Sequence, residues 1–495
     1  MIRTGEQYLE GLRTPRDIYV GGEKVTDVLD YAPFRRPIES YAHLYDMKHD
    51  PRYQEILTYR EEPDGELFDM SFRIPKSKEE LQAKGRAFRT FAKSSYGCLG
   101  RGPEFMAALI AGLSESADWF DQYHPGGSAN VANYCEYVKQ NDLFLTHALG
   151  NPQSDRSKQA HQQANPYIYL RSKEETEEGL IVRGAKQLAT AGPMTDEVLI
   201  FPNGRTFGPG DEAYCLCFAI PTTTPGLKLM CREPLVPNDQ LGLYDHPLSS
   251  RFEESDALLV FDDVLVPWDR VFFYNSLEAA NSMRFMTGVA AFSGHQSVHR
   301  SAVRMSLAVA TAQAMTRSVK TDVFPNVGEL LGKCVAQYKA IEAIIYASEN
   351  QPRVTETGTH WPNGDFQTAH GLLYPDFYLN MLEVLKRTGA AGLMLTPTAG
   401  DFTGEAAEFA ETYFAGADMN GSDRVQIAKL AWELTGEAFG QRLALYERFY
   451  IGEPMFVASF YARGADMSDG QLLLDEILAD GKKDAEARRS STVAA

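Results

Sequence analysis

Tyr214-Cys-Leu-Cys-Phe-Ala-Ile220 is an unbroken apolar run between Asp211-Glu212 and Pro221. A short apolar run closed off by turn residues reads as a buried strand. Val198-Leu-Ile-Phe201 before it and Ala257-Leu-Leu-Val-Phe261 after it have the same character, each set between Gly, Pro or Asp punctuation. Strand signals dominate from about 166 to 272. On either side the period changes to that of a helix. Glu104-Phe-Met-Ala-Ala-Leu-Ile-Ala-Gly-Leu113 follows Pro103, a residue suited to a helix start. Gly328 to Glu349 carries Leu331, Val335, Tyr338, Ile341 and Ile345 as one stripe, and Ser422 to Phe449 is a further helical region. This order predicts a mainly α protein with a central β domain. An N-terminal helical domain spans 1–146, a middle antiparallel sheet or barrel 147–274, and a C-terminal helix bundle 275–480. Residues 481–495, small and charged, are expected to be a disordered tail.

Composition narrows the function. A formal charge of −19 argues against a nucleic-acid partner, which needs a basic stripe to displace counterions. No apolar run reaches the roughly 18 residues of a spanning helix, so no membrane partner is expected. Met1-Ile-Arg-Thr-Gly-Glu6 lacks the basic-then-apolar pattern of a secretory signal. Six scattered cysteines form no CxxC pair, which predicts buried free thiols and a reducing, cytoplasmic setting rather than a zinc motif. Neither G-x-G-x-x-G after a strand nor a Walker-type loop occurs, so no nicotinamide-binding domain is evident. The glycine-rich loop Gly204–Glu212 between two strands is a candidate lid.

Two polar stretches sit where helix gives way to strand: His147-Ala-Leu-Gly-Asn-Pro-Gln-Ser-Asp-Arg-Ser157 and Lys186-Gln-Leu-Ala-Thr-Ala-Gly192. Such junctions expose backbone N–H groups and short hydroxyl side chains to a ligand. The second stretch resembles the acyl-CoA dehydrogenase segment whose threonine bonds the flavin ring. Phe261-Asp-Asp-Val-Leu-Val-Pro-Trp-Asp-Arg270 resembles the strand-ending signature of the same fold. Four further segments resemble one branch of it, the 4-hydroxyphenylacetate 3-monooxygenase family: Thr4-Gly-Glu-Gln-Tyr-Leu-Glu-Gly-Leu12, Leu99-Gly-Arg-Gly-Pro-Glu-Phe105, His246-Pro-Leu-Ser-Ser-Arg-Phe-Glu-Glu254 and Leu434-Thr-Gly-Glu-Ala-Phe-Gly-Gln-Arg442. The resemblance runs from about 4 to 465.

That resemblance implies an acyl-CoA dehydrogenase-like fold with a middle β-barrel. It implies the oxygenase component of a two-component monooxygenase, which takes reduced FAD from a separate NAD(P)H-dependent reductase. With O2 a flavin hydroperoxide forms and hydroxylates a phenol ortho to its hydroxyl. Para attack on a chlorophenol or nitrophenol is the alternative, and an acyl-CoA dehydrogenase or an iron–sulfur dehydratase a more distant one. For FAD the resemblance implies Thr190, Gln153, Arg156, Gln159, Gln162 and the run Phe439, Gly440, Gln441, Arg442. For the phenol it implies Arg101 and His147, with Phe105 standing where the 4-hydroxyphenylacetate pattern has a tyrosine. A fixed cation lowers a phenol's pKa, and an imidazole accepts its proton near neutrality. His295, in His295-Gln-Ser-Val-His299, is a further catalytic candidate by likeness to a histidine-glutamine pair in chlorophenol and nitrophenol relatives. No third ligand stands near His295 and His299 in sequence, so no metal is expected. A homotetramer is implied by the family's C-terminal helices.

Overall fold

Pro103 opens a helix where the sequence places one, Pro103–Glu115. Its missing N–H falls in the first turn, where that group has no intrahelical partner. Almost every residue of this helix is buried, because it runs through the interior against Val289–Ser318. The two backbones touch at a glycine pair. A Cβ on Gly112 would lie 2.5 Å from the carbonyl oxygen of Gly288. This contact sets where the Val289–Ser318 helix starts, and so where Gln296 and His295 project.

The computed structural model describes residues 1–202, 207–236, 242–450 and 452–493. Its strands make a six-stranded sheet ordered Glu23–Val25, Asp17–Val20, Leu227–Cys231, Asp256–Pro267, Gly179–Thr190, Arg171–Glu175. A four-stranded sheet is ordered Val271–Tyr274, Leu216–Pro221, Glu197–Ile200, Leu145–Ala148. The expectation of purely antiparallel pairing is corrected. Asp17–Val20 runs parallel to Leu227–Cys231, and Leu145–Ala148 parallel to Glu197–Ile200. Both strands come from the region read as helical and are too short to show a period of two. The boundary at 146/147 therefore falls inside a strand, and that strand carries His147. In the long pair Gly179–Thr190 and Asp256–Pro267, Thr190 stands opposite Asp256. Asp262 and Asp263 form a bulge there, with Asp263 at φ +53°.

The helical region Ser422–Phe449 is two helices, Gly421–Thr435 and Ala438–Phe449. The chain turns at Gly436, where a Cβ would meet the Trp432 ring at 2.3 Å. The turn sends Arg442 and Tyr446 back towards the sheet. The stripe of the Pro325–Asn350 helix buries Leu331, Ile341 and Ile345. All six cysteines are free, five of them buried.

The chain divides into two compact units, Met1–Tyr450 and Ile451–Ala495. The first closes ahead of the boundary expected at 480. In the second, Pro454–Gly464 and Ser468–Val493 are helices, so residues 481–493 of the expected disordered tail are helical, and 494–495 lie outside the described residues. Ala, Glu, Lys and Arg are strong helix formers, so a lack of apolar residues did not exclude a helix. Of the candidate lid Gly204–Glu212, residues 204–206 lie outside the described residues. Its remainder is pinned: Phe207 exchanges backbone hydrogen bonds with the Asn281 amide, and Asp211 holds the His161 ring at 2.8 Å.

Candidate active site

The two polar stretches are joined directly. Gly150 and Gln187 exchange backbone hydrogen bonds of 3.1 and 2.8 Å. Lys186 Nζ donates to the Leu149 carbonyl and to Asn151 Oδ1, and Thr146 Oγ1 donates to the Thr190 carbonyl. Lys186 is buried, which lowers its pKa to about 8. His147 and Thr190 are thereby set on neighbouring segments.

Around His147 gather the residues expected at a phenol. The Arg101 guanidinium carbon lies 4.1 Å from the centre of the Phe105 ring and 3.9 Å from that of Tyr450. A cation held between two aromatic faces keeps its charge while losing water. Arg101 Nη2 donates to the Tyr450 carbonyl, and its backbone N–H donates to Glu254. Nη1 is buried and has no partner among the described residues. Phe105 and Phe201 each pack at 5.8 Å against the His147 ring. His147 Nδ1 is likewise buried and unpaired. Burial, then Arg101, then Arg284 hold the His147 pKa well below the ordinary value, so its ring is neutral at pH 7.

One carboxylate organises the next part of the site. Asp256 accepts from Thr190 Oγ1 at 3.0 Å, from Arg442 at 2.7 and 3.1 Å, and from Arg232 at 3.1 Å. Burial raises the Asp256 pKa, but the two arginines outweigh it and the net shift is downward. An ionised carboxylate only accepts, so the Thr190 hydroxyl hydrogen is committed to Asp256. What Thr190 has left is lone pairs. Arg442 also donates to Glu254 at 3.0 Å, which in turn caps the N–H groups of Gly100 and Arg101. Thr190, Arg442 and Arg101 are thus linked through two buried acids.

Not every expected residue joins this group. Gln153, Arg156, Gln159, Gln162 and Gln441 are solvent-exposed. Gln159 and Gln162 form a capping box with one another. Phe439 is in the core, and Gly440 is required by packing, since a Cβ would lie 2.2 Å from the Glu433 carbonyl. His295 points elsewhere. Its Nε2 lies 2.8 Å from Glu349 Oε1 and its ring packs edge-on to Phe88. The residue that the Val289–Ser318 helix does send towards Arg101 is the next one. Gln296 donates to Glu104 at 2.9 Å and accepts from the Tyr450 hydroxyl at 3.4 Å. The third polar partner missing around His295 and His299 in sequence is Glu349, from a different helix.

Comparison with known proteins gives this geometry a family. A model described as 4-hydroxyphenylacetate 3-hydroxylase N terminal matches residues 4–273, and its C-terminal counterpart matches 280–479. The chain belongs to the 4-hydroxyphenylacetate 3-hydroxylase family. The chain is a flavin-dependent aromatic monooxygenase. It is 40% identical to the 4-hydroxyphenylacetate 3-monooxygenase oxygenase component of Thermus thermophilus, over 92% of this chain and 93% of that protein. It is 31% identical to a Rhodococcus 4-nitrophenol 2-monooxygenase oxygenase component, over 94% and 90%. A crystal structure of a 4-hydroxyphenylacetate 3-monooxygenase oxygenase component with FAD superposes with a TM-score of 0.92, at 37% identity, over 97% of this chain and 99% of that one. An archaeal 4-hydroxybutyryl-CoA dehydratase shares the fold, with a TM-score of 0.85 at 19% identity.

Four residues of this 4-hydroxyphenylacetate 3-hydroxylase family member escaped the sequence reading: Glu254, Asp256, Tyr446 and Tyr450. Glu254 ends one of the family-like segments without a role of its own, and Asp256 stands two residues beyond it. Tyr446 and Tyr450, four apart at a helix end, were the available signal, since they share one face. The Tyr446 hydroxyl is buried without a partner and sits against Gly100, where a Cβ would lie 2.4 Å from the ring. Arg101 Nη1, His147 Nδ1 and the Tyr446 hydroxyl are three unsatisfied polar atoms in one region. Buried polar atoms normally find partners, so these three are open to a ligand. Together with the lone pairs of Thr190 they fit a planar, hydrogen-bonding flavin and a phenol.

Proposed function

We propose that this chain is the oxygenase component of a two-component system that hydroxylates a 4-hydroxyphenylacetate-like phenol ortho to its hydroxyl. The observation that carries this reading is the unpaired Arg101 Nη1 beside neutral His147. Arg101 meets the phenol oxygen and stabilises it as phenolate, which makes the ortho carbon electron-rich. His147 accepts the phenol proton. Its basicity recovers as the phenolate offsets the charges of Arg101 and Arg284, two causes of its depressed pKa. Phe105, Phe201 and Tyr450 wall the site and keep water from it. When bound, reduced FAD supplies the electrons that activate dioxygen. Thr190 would accept a hydrogen bond from a flavin N–H, and Arg442 positions Thr190 through Asp256 rather than meeting phosphate itself.

A separate NAD(P)H-dependent reductase provides the reduced flavin, and the working form is a cytoplasmic homotetramer. Supporting the compartment are the six free thiols; among the described residues no helix is long and apolar enough to cross a membrane. The test mixes purified protein with reduced FAD, oxygenated buffer and a panel of para-substituted phenols, and identifies products by mass and NMR. Catechols are expected. Consumption of oxygen entirely as hydrogen peroxide, with every phenol recovered unchanged, would overturn the reading.

A further inference from the structure

The Val289–Ser318 helix has a second polar cluster on its His295 side. His295 and His299 are one turn apart, and each brings Nε2 to 2.8 Å from the same oxygen, Oε1 of Glu349 on the Pro325–Asn350 helix. A third helix, Lys78–Ser94, closes the corner with Gly85. A Cβ there would lie 2.1 Å from Glu349 Oε1 and 2.5 Å from His299 Nε2. Glycine keeps that volume clear of side chain. Both Nδ1 atoms are buried without partners, so hydrogen bonding within the cluster leaves each ring half satisfied. The Glu349 side chain is 12% exposed, which leaves an approach from solvent.

We propose that His295, His299 and Glu349 form a binding site for a divalent cation of the zinc class. Three helices converge on one point with two imidazoles and one carboxylate, the borderline nitrogen and oxygen donors that such ions prefer. Histidines at i and i+4 on one helix face present both nitrogens to a shared ion. Three protein ligands leave a fourth position for water. The ion fastens Val289–Ser318 to Pro325–Asn350, one residue away from Gln296 and its bonds to Glu104 and Tyr450. A second cluster, His246 with Glu433 and Glu437, is looser, at 3.5 and 3.6 Å. Glu433 there is already committed to the N–H groups of Leu248 and Ser249 and to the Ser249 hydroxyl. That cluster serves as the control.

The experiment titrates tag-free, chelator-treated full-length protein with Co2+ and follows its ligand-field absorption, then displaces Co2+ with Zn2+. Saturation at one ion per chain is expected. The absorption should disappear in His299→Ala and in Glu349→Gln, and persist in Glu437→Gln. Added Zn2+ should raise the thermal midpoint of the unaltered protein and not that of Glu349→Gln, a near-isosteric change that keeps the packing. No Co2+ absorption in the unaltered protein, absorption that survives His299→Ala and Glu349→Gln, or its loss in Glu437→Gln would each overturn the proposal.

Discussion

Replacing Thr190 by valine removes one hydroxyl and almost nothing else. In the native arrangement that hydroxyl donates to Asp256 at 3.0 Å. Asp256 keeps three other donors, two from Arg442 and one from Arg232, so no carboxylate is stranded. The stability cost is therefore that of one hydrogen bond, about 1 kcal/mol. The effect on ligand is larger and has a sign. Because its hydrogen is committed to Asp256, Thr190 can only accept from the flavin. Reduced isoalloxazine carries an N–H at the central ring nitrogen that the oxidised ring lacks. An N–H left unpaired in a dry site costs about 1–3 kcal/mol, which is roughly 5- to 150-fold in Kd. Thr190→Val should therefore weaken reduced FAD by that factor and leave oxidised FAD within about twofold. Thr190→Ser should restore the difference. Anaerobic titration measures the reduced form and calorimetry the oxidised one. Equal weakening of both redox states, or none of either, would refute the assignment of the hydroxyl as an acceptor.

Three further outcomes follow from the same geometry. Arg442→Met removes two bonds from Asp256 and one from Glu254, leaving Asp256 with Arg232 and Thr190 and Glu254 with two backbone N–H groups, and should cost about 3–5 kcal/mol in urea unfolding as a broken buried ion pair. A protein of undiminished stability that no longer binds FAD would show instead that Arg442 meets the cofactor directly. Arg101→Ala should depress phenol hydroxylation far more than FAD affinity, and equal loss of both would remove Arg101 from the phenol site. Glu104 is pushed up to about 7 by burial, so the folded state holds its proton where the unfolded state, near 4.5, has lost it. Stability from this group is present below about 4.5 and lost as pH rises through 7, by about 3 kcal/mol. Glu104→Gln should accordingly unfold later than the native chain at pH 8 and match it at pH 4, and identical pH profiles would contradict the shift.

How much of this was legible in the sequence depends on what each feature needs. Pro103 announces its helix because proline acts locally. The apolar runs at 198–201, 214–220 and 257–261 are strands, or nearly so, because burial on both faces leaves a mark in composition alone. The strands Asp17–Val20 and Leu145–Ala148 carry no such mark. Each is four residues long, and its parallel partner is distant in sequence. Family likeness named Arg101, His147 and Thr190, yet it could not name what aims them. Asp256 became visible only when strand register set it opposite Thr190, and Glu254 only when Gly436 turned the Ala438–Phe449 helix and brought Arg442 to it.

The same distinction separates His295 from the residue beside it. His295 and Gln296 lie on a helix, where a step of one residue rotates the side chain by about 100°. A histidine-glutamine pair therefore identifies the turn that reaches the site without saying which of the two faces it. The helix that starts where Gly112 packs against Gly288 resolves it. Gln296 is then directed to Glu104 and Tyr450, and His295 is left to Glu349. Gln296 is neutral and His295 ionisable, so the consequence is chemical. The side of Arg101 nearest this helix gains an amide that does not titrate, and in the proposed function the phenol proton is left to His147.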